Sequence, residues 1–266
     1  MGNIKEEKVF KIAGITIWRL LVYFAIYSVA GYIIETIFGI LTKGLLESRK
    51  GFLYGPFCPI YGVGAVVMIL ALQPFKKNNY TLFLGGFLVG SIVEYIISFL
   101  GEVIFNVNWW DYSNNFLNVN GRICFTFSLF WGLLAIYLIK HFNPIIDKMM
   151  NSLKQKISIK LIKKCIIIIS IFLFIDFILT GLALKLFFAR TVYSYNLDVS
   201  NKEKYIVEYE NLMQHEKILN IGNTIFSNKK MIKTFPNLKL KATSGGIIYM
   251  NSIYNDIQPY YYKFNF

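Results

Sequence analysis

The sequence predicts an all-α membrane protein of about five transmembrane helices, with a polar C-terminal tail that carries an amphipathic helix. Three observations predict it. The 266 residues are 55% hydrophobic, with a mean hydropathy of +0.48, more apolar surface than a soluble domain of this size needs. Five nearly uncharged runs approach the roughly 20 residues that cross a bilayer as a helix. The formal charge of +13 is gathered in lysines beside those runs, as orientation by the positive-inside rule requires. No zinc-finger or RNP pattern accompanies the charge, which argues against nucleic acid as a partner and leaves the lipid bilayer as the first one.

The first span covers residues 20–41. A cleavage-like Ser28-Val-Ala30 lies inside it, but the apolar run continues too far for a signal-peptide core of roughly 7 to 15 residues, so an uncleaved span is expected. Gly31, Glu35 and Gly39 follow at four-residue intervals on one stripe of this helix. Small residues there let another helix approach the carboxyl group. The plainer reading makes Gly31 and Gly39 packing glycines and lets Glu35 reach the interface.

Residues 51–75 carry no charge, yet Gly55, Pro56 and Pro59 forbid one straight helix through the start of the run. The expectation is an extended or re-entrant segment over 51–58 and a second span over 59–72. Non-helical backbone at membrane depth requires cover from protein or from a water-filled cavity. A turn over 73–79 precedes the third span, 80–105, in which Gly86, Gly90 and Glu94 repeat the four-residue spacing. Aligning GYIIETIFGIL from Gly31 with GSIVEYIISFL from Gly90 matches the glycine, two isoleucines, the glutamate and the final leucine. A duplicated two-helix hairpin follows as one reading, known from transporter folds. It places Glu35 and Glu94 at similar depth on adjacent helices, with Gly31 close to Gly90.

The connection 106–122 is rich in asparagine and aromatic residues. Trp109, Trp110 and Tyr112 fit an interfacial belt, which leaves Asp111, Asn120, Gly121 and Arg122 unexplained. The fourth span is expected over 123–139. Residues 140–164 carry seven lysines against one aspartate and mark a cytoplasmic connection. With that anchor the N-terminus is cytoplasmic, and the connections 43–58 and 106–122 share the outer face. The inner segments then hold thirteen Lys or Arg against four outside. The fifth span, 165–184, contains Asp176. An acid near mid-membrane costs on the order of 3 kcal/mol, so a partner or polar cavity is expected.

These spans make 1–189 a transmembrane domain and 190–266 a polar tail. In the tail, Ser200-Asn-Lys-Glu203 reads as a capping box that opens one amphipathic helix up to Gly222. Residues 223–266 show no periodicity and receive no function.

Cys58, Cys124 and Cys165 form no CxxC or Cys/His cluster, so no metal or cofactor is implied; Cys58 and Cys124 share one membrane face, where two buried free thiols are expected ahead of a bridge or a reactive site. The histidines, His141 and His215, lie far from both outer connections. No Ser/His/Asp set or acid–base pair at recognisable spacing supports catalysis. The candidates for a substrate or ion path are Glu35, Arg49, Tyr54, Glu94, Glu102, Asp111, Asn120, Arg122 and Asp176. Acids inside apolar spans are functional by default, and an arginine fork holds a carboxylate or an anionic solute. At least one of Arg49 and Arg122 is expected to pair with Glu35, Glu94 or Glu102.

The peptides RKGFLYGPFCPIYG (49–62), WWDYS (109–113) and NVNGRIC (118–124), together with the acid-bearing third helix, resemble the bacterial family called putative ABC-transporter type IV. Asp176-Phe in the fifth span is also similar to it. The resemblance implies a multi-pass plasma-membrane permease working with a separate ATPase subunit. The sequence has no GxxxxGK[ST] phosphate loop, so hydrolysis would belong to that other subunit. Two alternatives stand beside it: a membrane scaffold or assembly protein, in which the acids and arginines are structural pairs, and an outer-leaflet enzyme using Glu94, Glu102 or Asp111. A homo-oligomer remains open in each case.

Overall fold

The computed structural model describes residues 10–105 and 109–264. Lys5, Lys8 and the start of the aromatic connection at 106–108 lie outside the described residues. A short hairpin, β1 (Lys11–Ile12) with β2 (Ile15–Thr16), leads into α1 (Ile17–Lys43). This helix stops where Gly44 turns left-handed, at φ +64°, and its N–H bonds the Ile40 carbonyl. Strand β3 (Leu45–Glu47) and the irregular segment 51–58 then lead to α2 (Pro59–Ala71), with proline at the first turn, where a missing N–H does no harm. Next come α3 (Asn79–Phe105), the aromatic connection and α4 (Phe125–Tyr137). A π-turn over Leu138–Phe142 joins α4 to α5 (Asn143–Lys156), and α6 (Ile159–Tyr195) follows.

Among the described residues, four helical stretches are long and apolar enough to span a bilayer: Ile17–Lys43, Asn79–Ile104, Phe125–Lys156 and Ile159–Tyr195. Their outward rings and branched chains, such as Phe174 at 65% exposure, are dressed for hydrocarbon rather than water. The fifth apolar helix, α2, has only 13 residues, about 20 Å against a core of about 30 Å. The segment 51–58 precedes it and packs back against α1. The Cys58 N–H bonds the carbonyl of Ser28, which lies roughly 22 Å down α1 from Lys43 at 1.5 Å per residue. Gly51 N–H closes on Phe57 O at 2.8 Å. The segment is therefore a closed, non-helical loop folded against α1, in keeping with the helix break expected from its glycine and prolines.

Two expectations need correction. The lysine-rich connection is mostly helix, because α4 continues through the π-turn into α5. Pro144, at the start of α5, brings no N–H to the ladder, and the widened turn directly before it absorbs the mismatch. The carboxylate of Asp147 anchors this end of the bundle to α1, pairing with Arg19 at 2.9 Å and accepting from Tyr23. In the tail, one amphipathic helix becomes two, α7 (Lys202–Met213) and α8 (Glu216–Ile225). The residue before α7 is Asn201 at φ +64° without a side-chain cap, so the Ser200 capping box does not form.

Helix α6 runs unbroken past residue 189. Toward its end Ala183, Leu184, Leu186 to Ala189 and Val192 are buried with Tyr205, Phe226, Met231, Ile232, Leu238 and Tyr254 in a core of their own. Around them lie α9 (Asn228–Thr234), a hairpin of β4 (Lys239–Lys241) and β5 (Ile247–Tyr249), and α10 (Met250–Ile253). Finally β6 (Tyr260–Lys263) pairs antiparallel with β3. The tail thus packs over the end of the bundle where the 44–58 and 109–124 connections lie.

Candidate functional site

The two hairpins share one contact plan. In the first, a Cβ added to Gly31 would overlap the Tyr61 ring, and Tyr61 donates its hydroxyl to Glu35 Oε1 at 2.7 Å. In the second, a Cβ on Gly90 would fall 2.5 Å from Trp131 Cβ, and Trp131 donates its indole N–H to Glu94 Oε2 at 3.0 Å. The next residue is glycine in both cases. Gly62 lies against the Phe24 carbonyl and ring, and Gly132 lies against the Phe83 carbonyl and ring. Phe24 and Phe83 precede Gly31 and Gly90 by the same seven positions. The echo between spans one and three is therefore an echo of packing. It does not bring Gly31 against Gly90, as the sequence suggested. Helix α1 packs on α2 and α3 packs on α4, and the Tyr61 and Trp131 rings meet at 5.7 Å between them.

Glu35 and Glu94 line one cavity of about 990 Å³ walled by α1, the start of α2, α3, α4, α6 and the segment 48–52. It reaches from Leu21 and Phe24 up to Trp109, Trp110 and Asn237 at the tail end. Glu94 is 3% exposed and takes a second hydrogen bond, 3.1 Å, from the Tyr112 hydroxyl. Tyr112 is thereby drawn into the site, stacked 4.7 Å from Phe127, and burial and the neighbouring Glu94 push its phenol far above the ordinary range. The Trp110 indole N–H holds the Arg122 carbonyl at 2.8 Å, and Trp109 packs against the tail core.

Of the nine sequence candidates, Glu35, Arg49 and Glu94 line this cavity. Arg49 lies over Gly39 and pairs with Glu47 at 2.8 Å, a buried acid that Lys43 and Asn237 also reach at 3.2 Å. Arg122 pairs with Glu102 at 2.5 Å and lies over the Tyr95 and Phe99 rings. Asn120 donates to the Tyr95 hydroxyl. Asp111 accepts from the N–H and hydroxyl of Ser113, at 3.0 and 2.5 Å. Burial alone would raise its carboxyl, but those bonds and the nearby Lys239 and Lys241 hold it below the usual carboxylate value. Tyr54 lies under Lys230, which donates to its hydroxyl. Asp176 does not line the cavity. It accepts the Tyr54 N–H at 3.1 Å, and Thr180, one turn on, accepts the Leu53 N–H at 2.9 Å. Asp176, near the middle of α6, is thus the clasp for the segment 51–58.

Sequence reasoning missed Tyr61, Trp131 and Glu47. An aromatic donor followed directly by glycine, in the second helix of each hairpin, is the signal that could have found the first two.

Apolar membrane-length helices around a cavity with two acids on its wall define a multi-pass membrane protein. The chain belongs to the family described as putative ABC-transporter type IV, whose model matches residues 22–207. No curated protein and no solved structure matches it.

Proposed function

We propose that the chain is a permease subunit of the plasma membrane, driven by a separate ATPase, and that the cavity bearing Glu35 and Glu94 is its solute site, open to the outer face. The observation that carries this reading is the convergence of the equivalent acids of both hairpins on a single cavity large enough for a drug-sized molecule. Residues 1–189 then form the transport unit and 190–266 its outer cover. Lys-rich α5 and the turn before α3 are the surface on which an ATPase would act.

Orientation is tested by thiol labelling of intact cells. Cysteine at Asn114 reacts with an impermeant reagent from outside and cysteine at Ser152 does not; the reverse pattern overturns the outward site. Function is tested by untargeted mass spectrometry of cells expressing wild type, Glu94→Gln or neither. An ATP-dependent change in one solute class with wild type alone is expected. Identical solute content in all three, with both proteins present at equal amounts in the membrane, refutes the permease reading.

A further inference from the structure

The cavity has an electrostatic imbalance. Among the described residues, Glu35 and Glu94 receive hydrogen bonds from neutral donors alone: the hydroxyls of Tyr61 and Tyr112 and the indole of Trp131. Among the described residues no lysine or arginine pairs with either acid. The one arginine on the wall, Arg49, is turned to Glu47. Lys50, also on the wall, lies within electrostatic reach of Asp176 on α6. Two carboxylates share one largely apolar chamber, where an uncompensated charge is costly and an incoming cation relieves it.

The rest of the wall describes the body attached to that cation. Tyr61, Trp110, Tyr112, Phe127, Phe130 and Trp131 surround the acids, and aromatic faces attract cations, most strongly when both are desolvated. The lining also includes Ile97, Leu100, Phe174 and Phe177, which suits apolar substituents and not a hydrated ion. No group of three or more His, Cys, Asp or Glu side chains that could hold a metal occurs among the described residues. We infer that the cavity binds a hydrophobic organic cation, its charge held by Glu35 and Glu94 within the aromatic rings and its apolar body lying against α3 and α6. This inference rests on reading the cavity as the solute site and names the chemical class of the solute.

Tetraphenylphosphonium and tetraphenylborate, nearly identical in shape and opposite in charge, provide the probes. Equilibrium dialysis of the purified full chain in detergent, with tryptophan fluorescence as a second readout, should show saturable phosphonium binding and no comparable borate binding. Glu35→Gln and Glu94→Gln should each weaken phosphonium binding about tenfold, the scale of one lost charge contact. Glu216→Gln, on the exposed start of α8, should not. Borate binding as tight as phosphonium, no saturable phosphonium binding, or unchanged affinity in both glutamine variants overturns the inference. The two probes are compared on wild type, so the test survives a variant that fails to fold. Cation-selective binding without ATP-linked transport would remove the permease reading alone, and transport without cation selectivity would remove this inference alone.

Discussion

Replacing Asp176 separates its role as a clasp from any role in carrying charge. Its carboxylate is 1% exposed and accepts the Tyr54 N–H through both oxygens, at 3.1 and 3.3 Å, with a weaker bond from Thr180 at 3.4 Å. In Asp176→Ala the Tyr54 N–H loses the acceptor that the buried carboxylate supplies at a part-buried site. An orphaned buried donor costs about 1–3 kcal/mol, toward the upper end when the lost acceptor was charged, so a loss of about 2–3 kcal/mol is expected. At about 2–4 °C per kcal/mol for a chain of this size, the midpoint falls by roughly 4–12 °C. Asp176→Asn keeps a carbonyl oxygen in the same place and sheds a buried charge, so it should stay within about 1 kcal/mol of wild type. Melting of the purified protein, followed by intrinsic fluorescence, measures both. An alanine variant that melts with wild type shows that the clasp holds nothing. An asparagine variant as unstable as alanine shows that the charge, and not the acceptor, is required.

Other perturbations test the remaining contacts. Gly90→Val drives a side chain into Trp131, at 2.5 Å from its Cβ, and should lower stability by about 1–3 kcal/mol; Gly64→Ala, with nothing within 4 Å of the added carbon, is the matched control in the same melting assay. Arg122→Ala strips Glu102 of its partner at a half-open site, 16% and 33% exposed, and should cost about 1 kcal/mol; lysine should restore only part of it, and adding Glu102→Gln to the alanine variant should recover most of the loss. The Asp111 carboxyl is held below its ordinary value in the fold, so its contribution is complete above the unfolded value of about 4 and is lost as pH falls through the lowered one. Tryptophan fluorescence of the 109–124 connection should therefore shift below about pH 4, and Asp111→Asn should flatten that shift.

The readable part of the fold was the part written in local chemistry. Long apolar runs placed α1, α3, α4 and α6, and Gly55, Pro56 and Pro59 announced the break before α2, because a missing donor acts on its own neighbours. The spacing of Gly31 to Glu35 and Gly90 to Glu94 was legible for the same reason. What covers those glycines was not: Tyr61 and Trp131 come from other helices, and nothing in a single apolar run distinguishes a ring that donates to an acid from one that faces lipid. Lysine density read α5 as a connection, although lysine is a good helix former. The tail was opaque because its strands have three or four residues, too few to show alternation, and β6 takes its partner from the far side of the sequence.

That last pairing has a consequence for biosynthesis. Strand β3 leaves the ribosome immediately after the first membrane helix, while its complement is among the last segments described. Throughout translation of everything between them, Leu45 to Glu47 present an unpaired backbone edge beside the forming chamber. An unpaired edge is a template for a wrong strand, so the nascent protein depends on that edge being short and on the charged cluster of Lys43, Glu47 and Arg49 around it. The mouth of the chamber takes its final outline only when the tail folds back, which makes closure a late event in maturation.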